Sequence, residues 1–245
     1  MKQGVVRVPA RTLLLFEISV FFQRRVLRRR YGKQQADIWL KRARELFKSI
    51  YPLIPDIGGR KNLLAVNLEL AAFFMPMVVI LKEEHLSTRE IGEFVFDFAE
   101  SACNAVPLPF RLMKRSSYFR KSTIEKWRLT AKESSLRKFP ADWVFEFVEG
   151  GEDYLFGYDI KECGIHKFWR SQGLEEFVPY LCLTDWAKWK SVGIAVERSK
   201  TLANGHELCD FRYCRKEKEC PSGWPPESNP EWTGKFEKAD TFLSA

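Results

Sequence analysis

The hydrophobic pattern of this chain changes its period at Trp143. Before Trp143, apolar residues recur at helical spacing in segments that proline and glycine separate. From Trp143 onward they alternate with polar residues, and two alternating runs, 143–148 and 154–160, flank a glycine-containing hairpin segment, 149–153. The pattern therefore predicts a helical N-terminal part followed by a part that contains a sheet.

Asn204-Gly205 indicates a second hairpin, because it stands between two strand-like runs. The dipeptide favours a type I′ turn, in which both central residues need positive φ. A two-residue loop centred there places Lys200 opposite Cys209, with Cys209 on the same face as Arg198. Neighbouring cations favour a thiolate, so this register predicts a reactive Cys209, whereas a bulge would move Cys209 to the other face.

Together these patterns predict an α+β fold: an N-terminal helical layer packed on a small, mostly antiparallel four-stranded sheet, with helices inserted between the two hairpins. We expect one domain over residues 1–245, because 45% apolar residues support a substantial core. Residues 1–140 form its helical part, 141–215 its α+β part, and 216–245 an irregular tail. The tail would wrap the surface or pair with another subunit, so a homodimer is one expectation.

Residues 63–81 form the most hydrophobic helical segment, and its 19 residues approach the length of a membrane span. It contains Asn67, Glu69 and Pro76, and polar residues in hydrocarbon need special partners. We therefore predict a buried central helix, kinked at Pro76. Asn67 and Glu69 are candidates to line a ligand cavity, and an ion pair is the simpler role for Glu69. Downstream, Ser87 and Glu90 have the spacing of a capping box.

The net charge of +8 is unevenly distributed, since residues 1–140 hold 27 basic and 13 acidic side chains. An arginine cluster contributes Arg24, Arg25, Arg28, Arg29 and Arg30. A solvated helix end is the simplest interpretation of the cluster, and weak contact with an anionic membrane is the alternative. No nucleic-acid motif accompanies it, so we expect no nucleic-acid partner. Six cysteines without a signal-like start predict a reducing, cytoplasmic location.

Reactive side chains concentrate between Pro179 and Arg215. Cys182 and Asp185 are three residues apart and lie on the apolar stripe of a predicted helix. A carboxylate on such a stripe needs a partner, for which Arg198 and Arg212 are candidates. The thiols are candidate nucleophiles, although a lone cysteine on an apolar stripe is more often a packing residue. Cys163-x-x-His166 with Cys182, Cys209 and Cys214 matches no familiar zinc spacing, so we predict no metal and no cofactor.

Several segments of the chain carry a resemblance. They are Glu162-Cys-Gly-Ile-His-Lys-Phe168, Pro179-Tyr-Leu-Cys-Leu-Thr-Asp185, Glu197-Arg-Ser-Lys-Thr-Leu-Ala-Asn-Gly205 and Cys209-Asp-Phe-Arg212, with residues 54–62 and 86–91 upstream. In these segments the chain resembles the L-2-amino-thiazoline-4-carboxylic acid hydrolase family. The resemblance spans residues 51 to 215, and Cys209-Asp-Phe-Arg212 is its most specific part.

The resemblance implies a hydrolase that opens a small cyclic C=N substrate and yields a carbamoyl-cysteine type of product. Two mechanisms fit the residues: a cysteine thiolate attacks the C=N carbon, or an aspartate activates water. The other functions considered are a non-catalytic small-molecule-binding module and a family member that acts on another heterocycle or an amide in a biosynthetic pathway. The candidate catalytic residues are Cys182, Asp185, Cys209 and Asp210. The candidate substrate-binding residues are Arg198, Lys200, Thr201, Arg212, Asn62, Asn67 and Glu69.

Overall fold

The chain builds a layer of helices and then a four-stranded antiparallel sheet, and the computed structural model describes residues 7–214 and 221–237. The helices are α1 Ala10–Ile50, α2 Ala65–Ala72, α3 Met75–Glu83, α4 Thr88–Asn104, α5 Leu108–Tyr118, α6 Lys121–Ser134, α7 Gly164–Ser171 and α8 Val178–Val192. The strands are β1 Val144–Glu149, β2 Tyr154–Glu162, β3 Val196–Glu197 and β4 Cys209–Cys214, in the order β1-β2-β4-β3. The predicted α+β fold, with helices before the sheet and between its hairpins, is confirmed.

Helix α1 is an antiparallel helical hairpin. Gly32 has non-helical backbone angles, with φ at 78° and ψ at 166°, and separates residues 10–31 from 33–50. Positive φ favours glycine at this position. The two arms pack through stacked rings of Phe16 and Phe47, whose centroids lie 3.9 Å apart, and through the ion pair of Arg28 with Asp37. The change of direction therefore follows from a single glycine between two amphipathic segments.

The apolar segment that approaches membrane length is divided into α2 and α3. By length and composition, Ala65–Glu83 would be long enough to cross a membrane, but 56% of its most apolar window is buried within the described fold. This agrees with the predicted buried helix. The predicted kink at Pro76 is wrong in detail: the helix ends before Pro76, which lies in the first turn of α3, where a missing N–H is tolerated. Gln23 donates to the carbonyl of Phe73, at the end of α2, at 3.3 Å.

One face of the sheet is lined with aromatic rings that pack under the helices. Phe156 on β2 stacks on Tyr213 of β4 at 4.6 Å, and Trp189 of α8 contacts Tyr213 edge-on at 5.2 Å. Alternation along β4 puts Cys209, Phe211 and Tyr213 on this inner face and Asp210 and Arg212 on the outer face. The sheet thereby presents Cys209 toward α8.

The second hairpin keeps the predicted register but has a different loop. Val196 pairs with Tyr213 and Glu197 with Arg212, as expected from a centre at residues 204–205. The expected type I′ turn is wrong, because Leu202–Asn204 forms a 3₁₀ turn that ends at Gly205 with φ at 91°. β3 is two residues long, and the Asp210 carboxylate accepts hydrogen bonds from the backbone N–H groups of residues 199 and 200 instead.

The described part of the C-terminal segment, residues 221–237, packs across α4 and α8. Trp224 lies 5.8 Å from the ring of Phe96 on α4, and the hydroxyl of Tyr180 on α8 donates to Glu237 at 2.6 Å. Asn229 and Glu231 are buried. This segment therefore adds charged and polar groups to the interior beside α8.

Candidate active site

Arg198 lies at the centre of a buried polar cluster between α8 and the inner face of the sheet. Its side chain is 1% exposed, and its Nη1 donates to Oδ2 of Asp185 at 2.9 Å. Its Nη2 donates to the carbonyl of Cys182 at 2.9 Å, and the guanidinium carbon lies 5.0 Å from the rings of both Trp186 and Phe211. Asp185 pairs with the predicted cation, and with 31% of its side chain exposed it is accessible from outside the cluster.

Glu231 supplies a second carboxylate to this cluster, and the sequence reasoning missed it. Its Oε1 accepts from Arg198 Nη2 at 2.7 Å and from the indole N–H of Trp186 at 2.8 Å. Glu231 has no exposed surface. Burial opposes the charge of Arg198, but Glu231 and Asp185 outweigh it and raise the pKa of the guanidinium. Arg198 is therefore a permanent cation held by two carboxylates.

Three thiols lie near the cluster. Cys182 lies on α8, Cys209 begins β4, and Cys163 directly precedes α7; Cys209 and Cys163 both influence the pKa of Cys182. Burial raises the pKa of Cys209 to about 12 and that of Cys182 well above its ordinary value. Both are neutral thiols near pH 7.

The expectation that Lys200 favours a Cys209 thiolate is wrong. The Lys200 ammonium is directed to Glu207, which it contacts at 2.6 Å, and its side chain is 43% exposed. The contact that lowers the pKa of Cys209 most is the hydrogen bond from the Leu202 N–H at 3.3 Å, and burial outweighs it. The short β3 is the reason, because the chain leaves the ladder before Lys200.

Three other candidates from the hairpin have structural partners. Asp210 lies on the outer face and also accepts from the hydroxyl of Ser199 at 2.7 Å. Arg212, on the same face, pairs with Asp159 at 2.8 Å. Thr201 is fully buried, and its hydroxyl accepts from Asn204 at 2.8 Å. The structure thus separates Asp210 and Arg212 from the inner-face cluster, and their predicted roles stay predictions.

The candidates from the helical part lie elsewhere. Asn62 donates to Asp142 at 2.6 Å and to the carbonyl of Ile57 at 2.7 Å, and it lines a cleft of about 230 Å³ between α6 and the loop before β1. Burial raises the pKa of Asp142 in this cleft. Glu69 accepts from the hydroxyl of Thr12 at 2.6 Å, and Asn67 is half-buried on α2. None of these contacts joins them to Arg198.

Further polar groups continue the cluster along α8, and the sequence reasoning missed these as well. Lys188 follows Asp185 by three residues. Burial opposes its charge, but Tyr118 and Asp185 help to raise the pKa of its ammonium. Tyr213 is buried, which raises the pKa of its hydroxyl well above the ordinary value. The i, i+3 spacing of Asp185 and Lys188 was the available signal, since it places both on one helix face.

The described residues, 7–214 and 221–237, hold no group of three or more histidine, cysteine, aspartate and glutamate side chains arranged to bind a metal ion. Among them, Cys103, Cys163, Cys182, Cys209 and Cys214 are free thiols. His166, which pairs with Cys163 in the zinc pattern considered from the sequence, lies 2.9 Å from Glu175. Cys220, the remaining cysteine, lies outside the described residues.

The fold and the cluster define an α+β protein whose acidic, cationic and thiol groups meet between one helix and an antiparallel sheet. The family model for L-2-amino-thiazoline-4-carboxylic acid hydrolase matches residues 71–213, more than half of the chain. The chain belongs to this family, as its resemblance predicted. A search of curated proteins and a search of solved structures returned no match. The matched range includes Cys163, Cys182, Asp185 and Cys209, and Glu231 lies beyond it.

Proposed function

We propose that the protein is a hydrolase that opens a small cyclic C=N heterocycle of the 2-aminothiazoline type, with Asp185 as the base that activates water. The position of Asp185 carries the proposal: its carboxylate is fixed by Arg198 at 2.9 Å and is 31% exposed, whereas the arginine is buried. A fixed carboxylate at the edge of a low-dielectric cluster is suited to proton transfer. The family name supports a hydrolase and leaves the substrate to be tested.

In the proposed reaction, Asp185 accepts a proton from water while the water oxygen bonds to the C=N carbon. The π electrons of C=N move to nitrogen, which takes this proton from Asp185, and a tetrahedral carbon that bears a hydroxyl group results. Asp185 then accepts the hydroxyl proton as the carbonyl forms, the ring C–N or C–S bond breaks, and Asp185 passes this second proton to the departing atom. One water is consumed, and the product is a carbamoyl-cysteine type of chain when the ring is 2-aminothiazoline-4-carboxylate.

The state of the thiols favours this route over a cysteine nucleophile. With a pKa of about 12, Cys209 is a thiolate in roughly one molecule in 10⁵ at pH 7. Asp185 and Glu231 already offset the positive charge of Arg198. Arg198 therefore stabilises a Cys182 thiolate only weakly. Attack by thiolate would need a strong change in this environment, whereas activation of water needs none.

The experiment compares Asp185→Asn with Cys182→Ser and Cys209→Ser on 2-aminothiazoline-4-carboxylate and a panel of related oxazolines, imidazolines and cyclic amides. We expect Asp185→Asn to lower kcat by about 10² to 10⁴ and the two serine variants to stay within about tenfold of the wild type, since a protonated thiol contributes mainly packing. Circular dichroism and thermal unfolding verify that each variant folds.

Loss of turnover in a folded Cys209→Ser variant would replace the water mechanism by the thiolate mechanism. If the wild type turns over no member of the panel but is stabilised by one of them in thermal unfolding, the protein is a binding module and the proposed reaction is wrong. Turnover of another ring or an amide alone would keep the hydrolase and change its substrate.

A further inference from the structure

The first arm of α1 exposes a row of large apolar side chains. Leu14, Ile18 and Phe21 are 63%, 48% and 55% exposed. Their spacing of four and three residues places them on one face of the helix. A neighbouring residue, Leu13, is 37% exposed. A contiguous exposed apolar row of this kind marks an interaction surface more often than isolated exposed residues do.

An arginine flanks the apolar row at each end. Arg11 lies three residues before Leu14 and Arg25 four residues after Phe21, so both share the face, and both are exposed. Glu17 is the acidic residue of this arm, and its carboxylate is paired with Arg44 at 2.7 and 2.8 Å. The surface is therefore apolar in the middle and positive at its ends.

Most of the arginine cluster of residues 24–30 has an intramolecular role. Arg28 pairs with Asp37 at 2.8 Å, and Arg29 and Arg30 pair with Asp97 of α4 at 2.5 and 2.7 Å. These pairs hold α1 against its own second arm and against α4. Arg25 and Arg11 are exposed at the ends of the apolar row, so they are the cations of this cluster and arm that would meet an anion bound at the row.

We propose that this face of α1 binds an anionic lipid surface. Leu14, Ile18 and Phe21 enter the interface between headgroups and acyl chains, and Arg11 and Arg25 contact lipid phosphates. The order of the charges argues against a second copy as the occupant. In a parallel pairing of two such rows Arg11 faces Arg11, and in an antiparallel pairing Arg11 faces Arg25, so like charges meet in both.

The test measures cosedimentation of the full chain with vesicles of equal parts phosphatidylglycerol and phosphatidylcholine, and with vesicles of phosphatidylcholine alone. We expect binding to the anionic vesicles to be at least about tenfold tighter and to weaken with salt. The triple variant Leu14→Ser, Ile18→Ser, Phe21→Ser should bind the anionic vesicles with an affinity at least about a hundredfold lower. The double variant Arg11→Ala, Arg25→Ala should bind them with an affinity about thirtyfold lower.

The matched control is Leu53→Ser with Leu129→Ser, which removes two apolar side chains from separate elements, 52% and 51% exposed, and should bind as the wild type does. Circular dichroism establishes that every variant is folded. The proposal is overturned if the wild type does not bind anionic vesicles, or if the α1 triple variant binds them as well as the control does. A dimer in sedimentation that the triple variant alone dissociates would assign this face to a second copy of the chain.

Discussion

Arg198 and Glu231 form an ion pair in which neither side chain reaches solvent, with 2.7 Å between Nη2 and Oε1. Arg198 directly follows β3, and Glu231 belongs to the C-terminal segment. Because Arg198 also holds Asp185, the pair fixes the orientation of the proposed catalytic carboxylate. A buried pair of this kind orients groups more than it adds stability, since desolvation offsets much of the attraction.

Removing the cation alone should be costly. Arg198→Met leaves Glu231 buried without a counter-charge, and we expect the free energy of unfolding to fall by about 3 to 5 kcal/mol. Urea denaturation measures this loss. Glu227→Gln is the control, because the pair of Glu227 with Arg89 lies at the surface, and its loss should cost under about 1 kcal/mol. A cost for Arg198→Met as small as that of the control would contradict the buried pair.

The sequence could indicate the pair of Asp185 with Arg198 but not the pair of Arg198 with Glu231. Asp185 on an apolar helix stripe required a cation, and Arg198 was one of two candidates, because an unpaired carboxylate on such a face is unfavourable. Glu231 could not be found in this way. It stands in an irregular segment with no hydrophobic period, so its burial depends on how that segment crosses α8, which is a non-local property.

The thiols provide a prediction about reactivity. With its pKa raised from 9.0 to about 12, Cys209 has a thiolate fraction lower by roughly 10³ at pH 8. Iodoacetamide should therefore alkylate Cys209 in the folded protein at least about a thousandfold more slowly than in urea. Peptide mapping by mass spectrometry follows the cysteine directly, and the urea-unfolded chain serves as the reference. Rapid alkylation of folded Cys209 near neutral pH would restore the thiolate mechanism.

The inner face of β4 was predictable, whereas the environment of its thiol was not. Alternation and the Asn204-Gly205 signal placed Cys209 with Phe211 on one face, and the observed register agrees. The direction of Lys200 depended on the loop conformation. The 3₁₀ turn before Gly205 ended the ladder early and let Lys200 reach Glu207. The alternation along a strand thus determines which face of the sheet each residue occupies. The conformation of the loop determines which charged side chains contact each other.

The capping box of α4 should make the wild type more stable than a Ser87→Ala variant, by a difference that depends on pH. Ser87 accepts from the N–H of Glu90, whose carboxylate accepts in return from the N–H of Ser87. Ser87→Ala should cost about 1 kcal/mol at pH 7. The hydrogen bonds from Ser87 hold the pKa of Glu90 below its ordinary value of 4.5. The contribution of the ionised carboxylate is thus present above pH 4.5 and is lost as pH falls through the lower folded pKa.

Chemical denaturation at a series of pH values tests this dependence: the difference between wild type and Ser87→Ala should narrow below pH 4.5. Ser49→Ala is the control, because its exposed hydroxyl bonds the carbonyl of Leu46 inside a helix and has no charged partner. The free energy of unfolding of Ser49→Ala should stay within about 0.5 kcal/mol of the wild-type value at every pH. A Ser87→Ala difference that does not change with pH would mean that Glu90 takes no part in the cap.

Gly92 permits the close approach of α4 to α8. Replacing it by alanine should therefore destabilise the protein, although alanine has the higher helix propensity. A methyl group at Gly92 would lie 2.1 Å from Cδ1 of Tyr180, a ring that is 1% exposed and whose hydroxyl donates to Glu237. Alanine improves helix propensity by about 1 kcal/mol, but the ring has to move within a packed interface. We expect Gly92→Ala to destabilise the protein by about 1 to 3 kcal/mol net.

Thermal and urea unfolding measure this effect, and a second substitution separates overpacking from other causes. Tyr180→Leu removes the ring that the methyl group meets, so Gly92→Ala should cost less in the Tyr180→Leu background than in the wild type. Such non-additivity is expected for residues in contact. An equal cost in both backgrounds, or a Gly92→Ala variant more stable than the wild type, would show that α4 and α8 are not in contact through this glycine.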